Sequence, residues 1–329
     1  MPAPHGHRRT GPPLLLLTAL AITLSGCTGS GPGGSDDFGP EPTVASTPAK
    51  LRTQGLKFPL DAYERSTTEQ RVLTRAQQML TNRCMARYGF AFQAPATAVT
   101  PGDSTDDARR YGVSDPETAA AYGYARPNKP GSTRTPPRQP ELSSTGKLVL
   151  YGASDDGKPQ DLPASQQEAE AVRKKGKGTT KVGGEAIPVG GCIRESFLKL
   201  YAPTRDSVDV LFVFQLISEA QSRSREDSRV RRVFKRWSSC MKESGYSVSN
   251  PAGVASQLGL RDDELSSPRA ITAAKADVAC KEKVNLVGVT FAVESAYQRQ
   301  LINKNAETLQ LVKKQDEDRL RFAASLTAA

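Results

Sequence analysis

The chain has 329 residues, with 45 lysines and arginines against 35 aspartates and glutamates and a formal net charge of +10. Its only two histidines, His5 and His7, stand at the extreme amino terminus. A chain without that segment has no imidazole for a Ser-His-Asp or Cys-His mechanism, or as a zinc or copper ligand. Carboxylate-only, Ser-Lys and tyrosine-based chemistries survive the exclusion.

Residues 1–13 are cationic through Arg8 and Arg9 and carry no acid. Residues 14–24 (LLLLTALAITL) are an unbroken apolar run of a signal peptide's length, short of the roughly 20 residues that span a bilayer as a helix. Small residues then lead into Leu24-Ser25-Gly26-Cys27. This tetrapeptide resembles the lipobox of bacterial lipoproteins. The resemblance implies that the chain is cut before Cys27, that its thiol carries a diacylglyceryl group, and that both histidines are discarded. It places the protein on the extracytoplasmic face of the cell membrane, held durably because two acyl chains anchor where one does not. Thr10-Gly11-Pro12-Pro13 after Arg8-Arg9 fits a twin-arginine export signal poorly. Removing Arg8 and Arg9 leaves a formal charge of about +8. Outside the cytoplasm such a charge faces anionic lipid or cell-wall polymer rather than nucleic acid.

Residues 27–57 are rich in Gly, Pro, Ser and Thr and read as a flexible, lipid-anchored stalk. Its reach is of order 30 Å for a coil of that length. From residue 58 the pattern is helical, and a first helical unit is expected over 58–205. Ser66 or Thr67 caps a helix with apolar positions Val72, Leu73, Ala76, Met79, Leu80 and Cys84, ending near Gly89. Residues 91–164 form a long Pro/Gly-rich insertion, mobile over 126–147. Within it Asp115-Pro116-Glu117 and Gly123 bracket one short helix. Further helices are expected over 166–175 and 194–200.

A second helical unit is expected over 206–329. Asp206 or Asp209 caps a helix through Ala220, although VDVLFVFQL also suits a buried strand. Val230, Val233, Phe234, Trp237 and Met241 then share one helix face. Ser267-Pro268 opens a helix carrying Ile271, Ala274, Val278 and Cys280, and one long final helix is expected from Val289 to about Ala324. The fold class is therefore mainly α.

Cys84, Cys192, Cys240 and Cys280 follow Cys27. An even number in an exported chain predicts two disulfides, with three connectivities open. Cys84-Met85-Ala86-Arg87-Tyr88-Gly89-Phe90 echoes Cys240-Met241-Lys242-Glu243-Ser244-Gly245-Tyr246, and small-residue–Cys pairs follow at Gly191-Cys192 and Ala279-Cys280. Two readings stand: a duplicated helical unit, pairing Cys84 with Cys192 and Cys240 with Cys280, or a generic helix-end glycine beside a chance Cys-Met. The wider pattern, with Tyr111-Gly112-Val113-Ser114-Asp115 and Val293-Glu294-Ser295-Ala296-Tyr297-Gln298, resembles uncharacterised lipoproteins of high-GC Gram-positive bacteria. That resemblance implies no activity.

No catalytic, cofactor or metal motif emerges. Ser196-Phe197-Leu198-Lys199 and Ser239-Cys240-Met241-Lys242 match Ser-x-x-Lys, but the Lys-Thr-Gly strand and Ser-x-Asn turn that penicillin-recognising enzymes need are missing. Gly176-Lys177-Gly178-Thr179-Thr180 lacks phosphate-loop spacing. Arg225, Arg229, Arg232 and Arg236 recur at i, i+4, i+7, i+11, opposite Val233 and Trp237. This stripe is either an anionic-polymer site or the solvated face of an amphipathic helix, partly neutralised by Glu226 and Asp227. Trp237 and Tyr297 read as core before ligand groove, and Asn303 and Asn305 either as polar contacts to a ligand or as helix-packing hydrogen bonds. The leading expectation is a non-enzymatic protein that binds or organises envelope partners. A wall-modifying hydrolase using carboxylates is the alternative, although no Asp/Glu pair marks itself out, and a solute-binding lipoprotein is the second.

Overall fold

The computed structural model describes residues 40–93, 107–127, 141–152, 162–175 and 180–327. Cys27 and residues 176–179 lie outside them. The described chain is mainly helical: α1 (Thr67–Arg87), α2 (Pro116–Tyr122), α3 (Ser144–Tyr151), α4 (Gln166–Lys174), α5 (Gly191–Tyr201), α6 (Phe212–Glu226), α7 (Ser228–Glu243), α8 (Val254–Gln257), α9 (Pro268–Val284), α10 (Leu286–Lys304) and α11 (Ala306–Thr327). A 3₁₀ turn occupies Pro59–Tyr63, and a two-residue hairpin pairs Lys181 with Ala186.

Local chemistry sets most boundaries. Ser66 accepts from the Glu69 amide while the Glu69 carboxylate reaches back to Ser66, closing a capping box on α1. Asp115 caps α2 ahead of Pro116, and Ser267 caps α9 ahead of Pro268. Asn305 breaks the expected single final helix. Its backbone (φ −116°, ψ 24°) leaves the helical region and its amide nitrogen donates to the Leu301 carbonyl at 2.8 Å, so α10 and α11 are separate helices. The 91–164 insertion also holds a second helix, α3. Its apolar residues Val149 and Leu150 are buried against Cys84, Met85 and Cys192, a tertiary contact with no signature in a Pro-rich stretch.

Packing is not divided at residue 205. Leu73, Ala76 and Leu80 of α1 share a core with Leu200 of α5 and with Ala323 and Leu326 of α11. Ala119 of α2 packs in the core of α7 and α9. Residues 40–329 accordingly form one compact unit rather than the two expected. α10 crosses α6 and α7 through its middle and is buried almost all round.

Disulfides join Cys84 to Cys192 and Cys240 to Cys280. At both helix ends the echoed motif has one geometry: Phe90 N donates to Met85 O and Tyr246 N to Met241 O, with Gly89 (φ +80°) and Gly245 (φ +90°) turning the chain. The partner cysteines do not match. Cys192 lies in the first turn of α5, whereas Cys280 lies near the end of α9. The echo is therefore a shared helix-end motif, and the following cysteines do not extend it.

The expected stalk also changes. Residues 40–57 are an ordered strap across the helices. Thr53 is buried, its hydroxyl 2.7 Å from the Ala108 carbonyl and 2.6 Å from Ser114 Oγ, and Leu56 enters the core. The Pro48 carbonyl accepts from Asn285 Nδ2 at 3.0 Å and runs so close to Gly288 that a Cβ there would lie 1.8 Å from it. Polar composition concealed this because the strap is held by the Pro48 carbonyl, the Thr53 hydroxyl and apolar residues too widely spaced to form a stripe, Val44, Leu51 and Leu56.

Candidate functional site

Among the described helices α7 is the most clearly two-faced, apolar on one side and basic on the other. Val230, Val233, Trp237 and Met241 are buried on one side. Trp237 Nε1 donates to Asp277 Oδ1 at 2.9 Å, and Asp277 Oδ2 faces the buried Lys281 ammonium at 3.0 Å. Lys281 also donates to the Val113 and Pro251 carbonyls at 2.8 and 3.0 Å, so all three of its protons are used. Burial pushes the Asp277 carboxyl up and the Lys281 ammonium down, against their mutual attraction. This cluster holds α7 and α9 together and leaves no group free for a ligand.

The other side of α7, with α10 and the strap, encloses an open groove of about 670 Å³. Val44, Val289 and Val293 give it apolar walls, and Thr47 and Ser239 give it two hydroxyls. Its basic rim is Arg229, Arg232, Lys235 and Arg236. Three of the four expected arginines are thus brought together. Arg225 is not: it lies in the last turn of α6, which Asp227 (ψ 136°) separates from α7, and it does not line the groove. Lys235 takes its place. The stripe read from the sequence passed over Lys235 because it followed arginines alone, although Lys235 stands three residues after Arg232 and directly before Arg236.

The four cations are not equivalent. Arg229 is bound by both oxygens of Asp227, at 2.9 and 2.6 Å, and Tyr297 donates to Asp227 Oδ2 at 3.3 Å. Burial raises the Asp227 carboxyl, but the hydrogen bonds and charge of Arg229 outweigh it and hold it below the usual range. Burial and the Asp227 carboxylate push the Tyr297 phenol up to about 12. Arg232, Lys235 and Arg236 are exposed and, among the described residues, have no carboxylate in ion-pair range. At the groove's end the strap's Glu41 carboxylate accepts from Ser228 N at 2.6 Å and Ser228 Oγ at 2.9 Å, closing the first turn of α7.

A second open groove, about 870 Å³, carries more acids than bases on its walls: Asp61, Glu64, Glu69, Asp107, Asp209 and Asp316 against Lys57, Arg65 and Arg319. Most are engaged. Asp61 accepts from Phe58 N at 2.8 Å, Asp107 pairs with Arg110 at 2.8 Å, and Asp316 binds Arg65 at 2.8 Å and Arg319 at 2.6 Å. Asp61 is raised chiefly by loss of water. The exposed Glu64 is raised by partial enclosure against the groove wall and then by the carboxylates of Asp61 and Asp107. Arg110 continues inward to the fully buried Glu294, which also accepts from Tyr111 OH at 2.8 Å.

The remaining sequence candidates are structural. Ser196 is buried, its hydroxyl donating to the Ile193 carbonyl, while Lys199 pairs with Glu195. Ser239 Oγ donates to the Lys235 carbonyl. Trp237 and Tyr297 are core, Asn303 is exposed and Asn305 caps α10. Among the described residues no group of three or more His, Cys, Asp or Glu side chains is placed to hold a metal ion, and no helix is long and apolar enough to cross a membrane. No known protein family matches the chain, nor does any curated protein or solved structure.

Proposed function

We propose that this is a lipid-anchored protein of the extracytoplasmic membrane face that binds an anionic envelope component, without catalysis, through the α7–α10 groove. The observation that carries the reading is the gathering of Arg232, Lys235 and Arg236 on one rim with no internal carboxylate to neutralise them. An exposed cation that is not paired inward costs the fold little and is available to a partner. The lipobox-like Leu24-Ser25-Gly26-Cys27 supplies the membrane and the diacylglyceryl anchor. Binding of the purified full chain to anionic wall polysaccharide and to anionic vesicles tests it. Association that weakens as salt rises is expected, and no association with either would contradict it.

A carboxylate hydrolase is the second reading, favoured only by Asp61 and Glu64 in the acid-lined groove. Such chemistry asks for two acids free to act on one bond. Here Asp61 and Asp209 accept from backbone amides, Asp107 and Asp316 pair with arginines and Glu69 closes the cap of α1, leaving Glu64 alone. Peptidoglycan turnover abolished by Glu64→Gln would revive it. A solute-binding lipoprotein would call for two α/β lobes, which a mainly helical fold does not supply.

A further inference from the structure

We propose that the partner of the basic groove is the phosphate headgroup layer of the bilayer to which the chain is itself tethered. The inference rests on the anchoring and anion-binding readings above and adds the ligand. Its first ground is the path of the strap. Glu41 is pinned to Ser228 at the start of α7, Val44 and Thr47 line the groove, and Pro48 is pinned at Gly288 and Asn285. The chain leading back to Cys27 therefore leaves the fold at the groove itself.

Its second ground is length. Cys27 precedes Glu41 by 14 residues, which reach at most about 50 Å however they are arranged. A tether this short makes headgroup contact intramolecular, with an effective concentration of order mM, so a contact of three cations suffices. The third ground is chemistry. The groove offers charge, apolar wall and only two hydroxyls, Thr47 and Ser239, and no aromatic ring lines it. A glycan would ask for more hydrogen-bonding groups and a stacking face. A phosphate layer asks for Arg and Lys alone.

The test uses the full chain reconstituted in vesicles, with acylation of the Lys235 amine by a reactive ester as readout and the exposed Lys275 of α9 as internal control. Phosphatidylcholine vesicles with phosphatidylglycerol are compared with phosphatidylcholine alone, and in a third arm a soluble wall polyanion is added to the neutral vesicles. Lys235 is expected to be protected on the phosphatidylglycerol vesicles and not on the neutral ones, Lys275 reacting alike on both. Each basic residue at a charged surface contributes roughly fivefold, so Arg232→Ala with Arg236→Ala should weaken docking about 25-fold and restore Lys235 reactivity. Equal reactivity of Lys235 on both vesicle types would overturn the inference. Protection by the polyanion in that case would leave anion binding standing with another ligand, and no protection by either would end both. Intact disulfides and unchanged helical circular dichroism guard against misfolding of the variant.

Discussion

The two grooves carry opposite charge and use it oppositely. Around the acid-lined groove nearly every charged side chain is spent inside the molecule: Asp61 on a backbone amide, Asp107 on Arg110, Arg110 on the buried Glu294, Asp316 on Arg65 and Arg319. In the basic groove only Arg229 is spent, on Asp227, and three neighbours are left over. Size does not separate the two, since the acid-lined groove is the larger. The contrast separates charge that holds the fold from charge available to something else.

Exchanging arginines between the two roles gives the largest expected difference. Arg110→Met strands Glu294, whose side chain is 0% exposed, and should cost about 3–5 kcal/mol in urea unfolding. Arg236→Ala should stay within about 0.5 kcal/mol. Similar losses from both would erase the distinction.

Next is the strap that walls the basic groove. Gly288→Ala forces Pro48 away from α10 and should cost about 1–3 kcal/mol. Proteolysis should then cut within residues 40–57 before it cuts any helix. A variant as resistant as the parent would show that the strap tolerates the displacement.

Acid titration separates the regions by sign. Asp227, and Glu195 beside Lys199 and Arg87, have carboxyls that burial raises but cationic partners pull below the usual range. Their contribution is complete above the ordinary carboxylate pKa and is lost as pH falls through the lowered values. Asp61 and Glu64 are raised, so their contribution is complete below the ordinary pKa and is lost as pH rises through the raised values. Urea midpoints of Asp227→Asn should therefore converge on the parent's in acid, while those of Glu64→Gln converge there from the stable side. The smallest effect is that of Glu64→Gln at neutral pH, a gain of no more than about 0.5 kcal/mol because solvent screens an exposed group.

Most of the fold was legible where one residue does local work. Ser66, Asp115, Ser267 and the Pro after each of the last two placed helix starts, and the 3.6-residue period of Val230, Val233 and Trp237 placed the buried face of α7. What was not legible depends on distant chain. Nothing between residues 40 and 57 announces that Pro48 will meet Gly288, and nothing in Val149 announces Cys84 and Cys192. The arginine stripe showed three of the four rim cations, Arg229, Arg232 and Arg236. The break at Asp227 that removes Arg225, and the strap that brings Val44 and Thr47 into the groove wall, are tertiary facts.

If Arg232, Lys235 and Arg236 serve a partner and not the fold, their joint replacement by alanine separates binding from stability in one paired measurement. The thermal midpoint should stay within a few degrees of the parent's while salt-sensitive binding to anionic surfaces is lost. A variant that binds as the parent does, or whose midpoint collapses, would contradict that role.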